Sequence, residues 1–206
     1  MSPGRDVDIR PVTLEQIPLD SARRYDLASI FGNTNPVELE LGIGKGRFLI
    51  QQAEARPDVN FVGVEWAGRY YRLVAERCAK RGLANVRILR DDSAHVVRDT
   101  LPEGSISTLH IYFPDPWPKA RHHKRRLVQP PFVEAAAQIL KPGAPVHLAT
   151  DHEEYAEQIE AVFDNPPMFE KVSRAIGDDA PEGVTNWEVR FRAEGRTIHK
   201  FVYTRR

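Results

Sequence analysis

The alternation of strand and helix patterns between residues 36 and 163 constrains the fold of this chain more than any other feature. Short runs rich in β-branched and apolar residues alternate with segments whose apolar residues recur every three or four positions. This alternation is typical of an α/β fold, a parallel sheet with helices on both faces. The predicted strands are "PVELELGIG" (36–44), "FVGVEW" (61–66), "NVRIL" (85–89), "SISTLHIYF" (105–113) and "PVHLAT" (145–150).

Three segments outside these strands have helical periodicity, and Gly82 offers the first of them a C-terminal stop. Each helix would bury one apolar face against the sheet. The repeating apolar positions are Tyr71, Val74, Ala75, Cys78 and Ala79, then Phe132, Ala135, Ala136, Ile139 and Leu140, then Tyr155, Ile159, Val162 and Phe163.

The two ends of the chain depart from this alternation. Residues 1–35 are polar and weakly patterned, so we expect a partly mobile N-terminal arm, with a short helix around "SARRYDLASIF", before a single domain at 36–206. The last residues predict two strands, "FEKVSR" and "IHKFVYTRR", separated by a polar loop at 175–184 and by no helix. Such a strand pair would give the mostly parallel sheet an antiparallel C-terminal edge.

Composition excludes several classes of function. Lys and Arg number 29, as do Asp and Glu, so the net charge predicts neither a nucleic-acid partner nor a membrane partner. The single cysteine, Cys78, excludes a disulfide framework and a Cys-rich zinc site within one chain, and we expect no bound metal. Without an apolar leader or a long apolar run, the chain is expected to be cytoplasmic, as a monomer or a homodimer.

Ligands of such folds bind at the carboxyl ends of the strands, where this chain first places glycines. Gly42, Gly44 and Gly46 follow the first strand and allow a ligand to approach the backbone closely, although a plain strand-to-helix turn is the alternative. Their spacing differs from that of dinucleotide-binding enzymes. Glu40, just before them, would repel a pyrophosphate and would suit a cationic ligand.

Carboxylates also end the second and third strands. Glu65 is placed to bind ribose hydroxyls, or is a plain surface charge. Asp91 or Asp92 would reach an adenine amino group, or would cap the helix that starts near Ser93. Together these features point to an adenosine without phosphates, and S-adenosylmethionine, a sulfonium cation, fits that description.

The stretch "FPDPW" follows the fourth strand, where a methyl acceptor would meet the cofactor. Pro114 and Pro116 restrict the backbone on both sides of Asp115, and Trp117 offers a face for stacking a base. The alternative is a rigid turn with a core tryptophan.

A dense basic run, "KARHHKRR", comes directly afterwards and suggests phosphate binding, although solvated charges are the alternative. Its positive residues are Lys119, Arg121, Lys124, Arg125 and Arg126.

Two later segments have stronger structural alternatives. Asp151 precedes a helix, and Glu154 three residues on gives the spacing of a capping box, so capping and a site role are both open. The segment "TNWEVRF" (185–191) is interpreted, on composition, as an edge strand with alternating faces.

The motifs "ELGIGKGRFL", "FVGVEW", "FPDPWPKARHHKRR", "ATDHEEYAEQI" and "TNWEVRF" together resemble the tRNA (guanine-N7-)-methyltransferases over residues 33–206. The resemblance implies a Rossmann-like S-adenosylmethionine-dependent methyltransferase fold. It further implies that the cofactor contacts Glu40, Glu65, Asp92 and Asp115, and that tRNA contacts the stretch Arg121–Arg126 together with Lys119, Asp151, Thr185, Asn186, Trp187 and Glu188.

The chemistry of guanine N7 agrees with the residues present. N7 carries a lone pair and no proton, so methyl transfer needs neither a general base nor a covalent nucleophile. Asp115 would then stabilise the positive charge that develops on the ring. The alternatives are a methyltransferase of exocyclic amino groups or small molecules, and a non-catalytic RNA-binding module.

Overall fold

The computed structural model describes residues 7–19, 21–165, 167–177 and 185–206. The strands are β1 (Val37–Leu41), β2 (Asn60–Val64), β3 (Val86–Leu89), β4 (Thr108–Tyr112), β5 (Pro145–Thr150), β6 (Phe169–Ile176) and β7 (His199–Arg205). The helices are α1 (Leu27–Phe31), α2 (Arg47–Ala55), α3 (Gly68–Arg81), α4 (Ser93–His95), α5 (Pro130–Ile139), α6 (Glu153–Asp164) and α7 (Asn186–Ala193). A π-helical turn at Val96–Thr100 continues α4, and 3-10 turns lie at Arg10–Val12 and Ala120–Arg125.

All seven strands belong to one sheet, in the order β3-β2-β1-β4-β5-β7-β6. The first five strands of that order are parallel, whereas β7 runs antiparallel to both β5 and β6. The predicted mostly parallel sheet with an antiparallel C-terminal edge is therefore confirmed. Because the chain leaves β1 toward β3 and then returns to β4 on the other side of β1, the loops after β1 and β4 flank one crevice.

The segment "TNWEVRF", predicted as an edge strand, instead forms the N-cap and most of α7. The prediction that no helix separates the last two strands is therefore also wrong. Thr185 caps α7 by accepting a hydrogen bond from the backbone N–H of Glu188 at 3.1 Å. Trp187 and Val189, which form the apolar face of the predicted strand, are 38% and 47% exposed, whereas Glu188 is buried. Glu188 pairs with Arg192, one helical turn on, and with Lys200 of β7, and these ion pairs stabilise the helix.

The described residues before β1 pack against the domain. Val12, Ile17, Tyr25 and Leu27 are buried, and the carbonyl of Ile17 lies 3.1 Å from Nε2 of His95. The helix expected around residues 21–31 is α1, which covers the second half of that range. The mobility of the arm remains a prediction, and most of the loop predicted at 175–184 lies outside the described residues.

Alternation along β1 explains why one face of the sheet centre is apolar and the other polar. Val37, Leu39 and Leu41 enter the larger hydrophobic cluster, which α5 and α6 cover. Glu38 and Glu40 point to the opposite face, where α2 and α3 enclose a second hydrophobic cluster closer to β2 and β3. The central strands therefore place buried carboxylates on the face beneath α2.

The turn between β1 and α2 fits only because residue 46 lacks a side chain. Gly46 has a φ of 72°, and a Cβ there would lie 2.5 and 2.8 Å from the two methyl carbons of Val74 on α3. The turn that carries the glycines thus packs directly on a neighbouring helix.

We expect Gly46→Ala to lower the free energy of unfolding by about 2–5 kcal/mol, because it combines a left-handed backbone with overpacking. Gly82→Ala is the matched control: Gly82 has a φ of 64°, and a Cβ added there would meet nothing within 4 Å. The control should lose only about 1–2 kcal/mol in urea unfolding. Equal losses in the two variants would contradict the packing described here.

Candidate active site

A cleft of about 700 Å³ opens at the carboxyl ends of the parallel strands. Residues from the ends of β1, β2 and β4, from the start of α4, and from α5 and α7 line it. Most of the predicted cofactor residues meet here. Those that line the cleft are Gly42, Gly44, Glu65, Asp92 and Asp115.

Glu40 lies just beneath this cleft and is 4% exposed. Its Oε2 atom is buried without a hydrogen-bond partner among the described residues. Burial first, and then the negative charge of Glu65, raise the pKa of Glu40 well above its ordinary value of 4.5. A small void beneath the glycine turn adjoins Glu40 and is also lined by Tyr112 and Asn186. A buried acceptor without a donor fits the cationic ligand predicted from the sequence, which stays a prediction.

Glu65 holds the glycine turn as well as lining the cleft. Its Oε2 accepts a hydrogen bond from the backbone N–H of Gly44, and its Oε1 accepts one from Ala67, both at 2.8 Å. Each carboxylate oxygen keeps a second lone pair for a ligand. The sequence predicted a ligand contact at Glu65 but no structural role, and the structure adds that role.

The two aspartates after β3 have different positions. Asp92 lines the cleft and caps α4 by accepting from the N–H groups of Ala94 and His95 at 2.9 and 3.0 Å. Asp91 is 6% exposed and turns one oxygen toward His95 at 3.9 Å. Asp92 therefore caps α4, and its position at the cleft leaves the contact with an adenine amino group as a prediction.

The "FPDPW" loop presents Asp115 to the cleft from a strained backbone. Phe113 and Trp117, on either side of the two prolines, have φ values of 53° and 44°. Aromatic residues rarely adopt this left-handed region, because it raises the conformational free energy by about 1–2 kcal/mol for each residue. Such strain persists only where surrounding contacts fix the loop, and it concentrates at functional sites.

Three contacts fix this loop. The N–H of Phe113 donates to the carbonyl of Ala149 at 2.7 Å, and the Phe113 ring packs on Phe191 of α7 at 5.3 Å. Arg126 donates from Nε to the carbonyl of Pro116 at 2.7 Å. The loop is thus tied to β5, to α7 and to the end of the basic run.

Arg126 differs from its neighbours in the basic run, for which the sequence predicted a shared role in binding RNA. It is 3% exposed, donates to Oε1 of Gln158 at 2.7 Å and lies 4.9 Å from the centre of the Tyr155 ring. Two of its guanidinium nitrogens are therefore held by the scaffold, its Nη2 atom lies 3.5 Å from Oε1 of Glu154, and the residue also lines the cleft.

The other four cations of the run are exposed around the 3-10 turn, and two of them line the cleft. Lys124 and Arg125 are the cleft-lining pair, whereas Lys119 and Arg121 lie farther out. Arg125 stacks over the Trp117 ring at 4.9 Å, so one face of that predicted stacking platform is covered.

The residues of α7 divide into two groups. Trp187 lines the cleft, with Nε1 lying 3.4 Å from a Cβ built on Gly44, and Asn186 lines the void beside Glu40. Thr185 and Glu188 are buried and hold the helix. The sequence predicted a substrate contact for all four. Thr185, Asn186 and Trp187 adjoin one of these two cavities, whereas Glu188 lines neither of them.

Asp151 pairs with Arg196 through a contact of 2.6 Å between Oδ2 and Nη1. The cap of α6 is His152, whose Nδ1 accepts from the N–H of Tyr155 at 3.3 Å. The capping alternative for Asp151 is therefore wrong, because the helix begins one residue later than the capping-box spacing requires.

Comparison with known proteins identifies the family. The Methyltransf_4 family model, described as "Putative methyltransferase", matches residues 34–201. The tRNA (guanine-N(7)-)-methyltransferase of Chromohalobacter salexigens is 38% identical over 189 residues, which are 88% of this chain and 76% of that protein. The chain belongs to the tRNA (guanine-N(7)-)-methyltransferase family.

Other relatives agree, with shorter coverage. The protein of the same name from Dechloromonas aromatica is 47% identical over 149 residues, covering 72% of this chain and 61% of that protein. Among solved structures, the antibiotic-resistance methyltransferase Kmr superposes with a TM-score of 0.59 at 25% identity, covering 87% of this chain and 91% of Kmr. The 16S rRNA methyltransferase KamB superposes with a TM-score of 0.65 at 17% identity, covering 88% of this chain and 94% of KamB. At that identity, the similarity supports the fold alone.

The fold family implies S-adenosylmethionine as the cofactor, and the residues present fit it. The unpartnered Oε2 of Glu40 suits a cationic group, the free lone pairs of Glu65 suit a diol, and Asp92 lies at the same cleft. Within the described ranges, the acidic, histidine and cysteine side chains form no cluster of three placed to hold a metal ion. No helix in the part of the chain described is long and apolar enough to cross a membrane.

Several residues at the cleft have no counterpart in the sequence predictions. Trp66 is 71% exposed and lines the cleft beside Glu65, and Tyr112 and Arg98 line it from β4 and the π-helical turn. Trp66 and Tyr112 follow or end a strand, so the rule that ligands bind at strand ends was the signal that could have found them. Arg98 lies within a helix, and no sequence signal marks it.

Proposed function

We propose that this chain transfers the methyl group of S-adenosylmethionine to N7 of a guanosine in tRNA, forming 7-methylguanosine, and that it does so in the cytoplasm. The observation that carries the proposal is that a fixed carboxylate, Asp115, and two exposed cations, Lys124 and Arg125, line the cleft that also contains the adenosine-type acceptors. A guanine ring that becomes positive and a phosphate chain that is already negative both fit this arrangement.

The cofactor, when bound, supplies an electrophilic methyl group on a sulfonium. The side chains of this chain then have to align the base, exclude water and stabilise charge, since guanine N7 has no proton to remove. Asp115 is suited to the charge because its loop is fixed on both sides. The single cysteine, Cys78, is fully buried in the core and takes no part in catalysis.

Exposed cations and aromatic rings are suited to holding an extruded base and its flanking phosphates. Removing a base from its stack costs about a few kcal/mol. Trp66 is 71% exposed at the cleft, whereas Arg125 lies over the Trp117 ring, and Phe191 and Arg190 contact the Trp187 ring. Stacking on Trp66 would offset about 1–3 kcal/mol of that cost.

The product identifies the reaction most directly. The protein is incubated with an unmodified tRNA transcript and methyl-labelled S-adenosylmethionine, and the nucleosides are separated by mass spectrometry after digestion. We expect the label in 7-methylguanosine, and we expect Asp115→Asn to lower kcat by at least about a hundredfold. Asp58→Asn, in the exposed turn at the amino end of β2 and so at the opposite end of the strands from the cleft, should keep the wild-type kcat. Label in another nucleoside, or full turnover by Asp115→Asn, would contradict the proposal.

The salt dependence of tRNA binding separates the exposed cations from Arg126. Each lost phosphate contact should flatten the slope of log affinity against log salt by about 0.7–0.9. The double variant Lys124→Ala and Arg125→Ala should therefore flatten it by about 1.4–1.8. Arg126→Ala should keep the wild-type slope and instead lower the unfolding midpoint, because it leaves Pro116 and Gln158 without their donor. A flattened slope in Arg126→Ala alone would reverse these assignments.

A further inference from the structure

A series of hydrogen-bonded polar side chains runs across the face of the sheet beneath α2 and ends at the cleft, with Glu38 and His110 buried at its centre. Arg56 donates to both carboxylate oxygens of Glu38, at 2.7 and 2.9 Å. Nε2 of His110 lies 3.0 Å from Oε2 of Glu38, and Nδ1 of His110 lies 3.0 Å from the hydroxyl of Tyr112. The chemistry described above uses none of Arg56, Glu38, His110 or Tyr112.

The charges in this series fix where its protons lie. Burial would raise the pKa of Glu38, but hydrogen bonds from His110 and Arg56 outweigh it and lower that pKa to about 2. The ionised carboxylate can only accept hydrogen bonds, so Nε2 of His110 must carry a hydrogen. Burial also lowers the pKa of His110, which leaves its ring neutral and its Nδ1 atom a lone-pair acceptor.

The hydroxyl of Tyr112 consequently has its hydrogen committed to His110. Toward any other group, the hydroxyl oxygen can therefore act only as a hydrogen-bond acceptor. Tyr112 lines the cleft and also lines the small void that adjoins Glu40. Its ring is held edge-on against Phe48, with 5.1 Å between centroids, so the hydroxyl has little freedom to turn away.

Two residues that carry an acceptor therefore line the same void, Tyr112 with its hydroxyl oxygen and Glu40 with the unpartnered Oε2. Lys45 and Arg47 also line the void, yet both are exposed and no cation lowers the pKa of Glu40. An ammonium group, with three hydrogens to donate, satisfies two acceptors at once. A sulfonium, the other cation of the cofactor, has no hydrogen to donate.

We infer that Tyr112 is a further cofactor-binding residue. Its hydroxyl oxygen accepts a hydrogen bond from the ammonium group at the amino-acid end of the cofactor. The hydrogen bonds that connect Arg56, Glu38 and His110 hold the hydroxyl in that orientation. The inference rests on the proposed use of S-adenosylmethionine. His110 is then a positioning residue, which acts on the ligand only through Tyr112.

Calorimetric binding of two ligands tests this assignment. S-adenosylhomocysteine carries the amino-acid end, and 5′-methylthioadenosine lacks it. Tyr112→Phe should weaken S-adenosylhomocysteine about tenfold, the order expected for one hydrogen bond to a charged group, and should leave 5′-methylthioadenosine unchanged. Tyr25→Phe is the matched control, because the Tyr25 hydroxyl donates to the carbonyl of Glu15 at 2.7 Å in the segment before β1.

A second variant separates positioning from packing. His110→Phe keeps the Tyr112 hydroxyl but removes its acceptor, so it should weaken only S-adenosylhomocysteine, and the double variant should bind no more weakly than Tyr112→Phe. Equal loss for both ligands in Tyr112→Phe, or no loss for either, would overturn the inference while leaving the proposed function intact. A wild-type protein that bound neither ligand would instead overturn the cofactor assignment, and the inference with it.

Discussion

A carboxylate buried without a partner at the end of the central strand is the constraint on which the rest of this site depends. Glu40 is 4% exposed, and its Oε2 atom meets no donor among the described residues. An unpaired charge in such a place costs several kcal/mol, so the free protein favours the protonated form. Around it, Glu65 anchors the glycine turn, the start of α7 adjoins the void, and Tyr112 adds a second acceptor, whereas Lys45 and Arg47 at the same void are exposed. We therefore propose that a positively charged ligand completes this site.

The second organising feature is the strained elbow around Asp115. Two aromatic residues with left-handed backbones store strain, which is stabilised by contacts to β5, α7 and Arg126. Arg126 links this elbow to α6 through Gln158, so the last cation of the basic run helps to fix the loop. These contacts hold the loop with the proposed catalytic carboxylate rigidly against the surface with the exposed cations.

The sequence allowed the sheet, its antiparallel edge and the strand-end carboxylates to be predicted, because these follow from short-range periodicity and from the topology of parallel sheets. Glu40, Glu65, Asp92 and Asp115 all lie at or just beneath the cleft for that reason. The surroundings of three residues could not be predicted because partners distant in the sequence decide them. Glu188 pairs with Lys200, Arg126 contacts Gln158 and Tyr155, and Asp151 pairs with Arg196. No local pattern around these residues reveals such partners.

The protons released when S-adenosylhomocysteine binds test the central role of Glu40 most directly. A cation beside Glu40 lowers the pKa that burial and Glu65 raise, so below that raised pKa binding must release a proton. Calorimetry in buffers of different ionisation enthalpy, across about pH 5 to 8, should show this release together with an affinity that rises with pH and then levels off. Glu40→Gln should bind more weakly and lose the Glu40 contribution to proton release. An affinity and a proton count that are the same in the wild type and in Glu40→Gln would contradict the account.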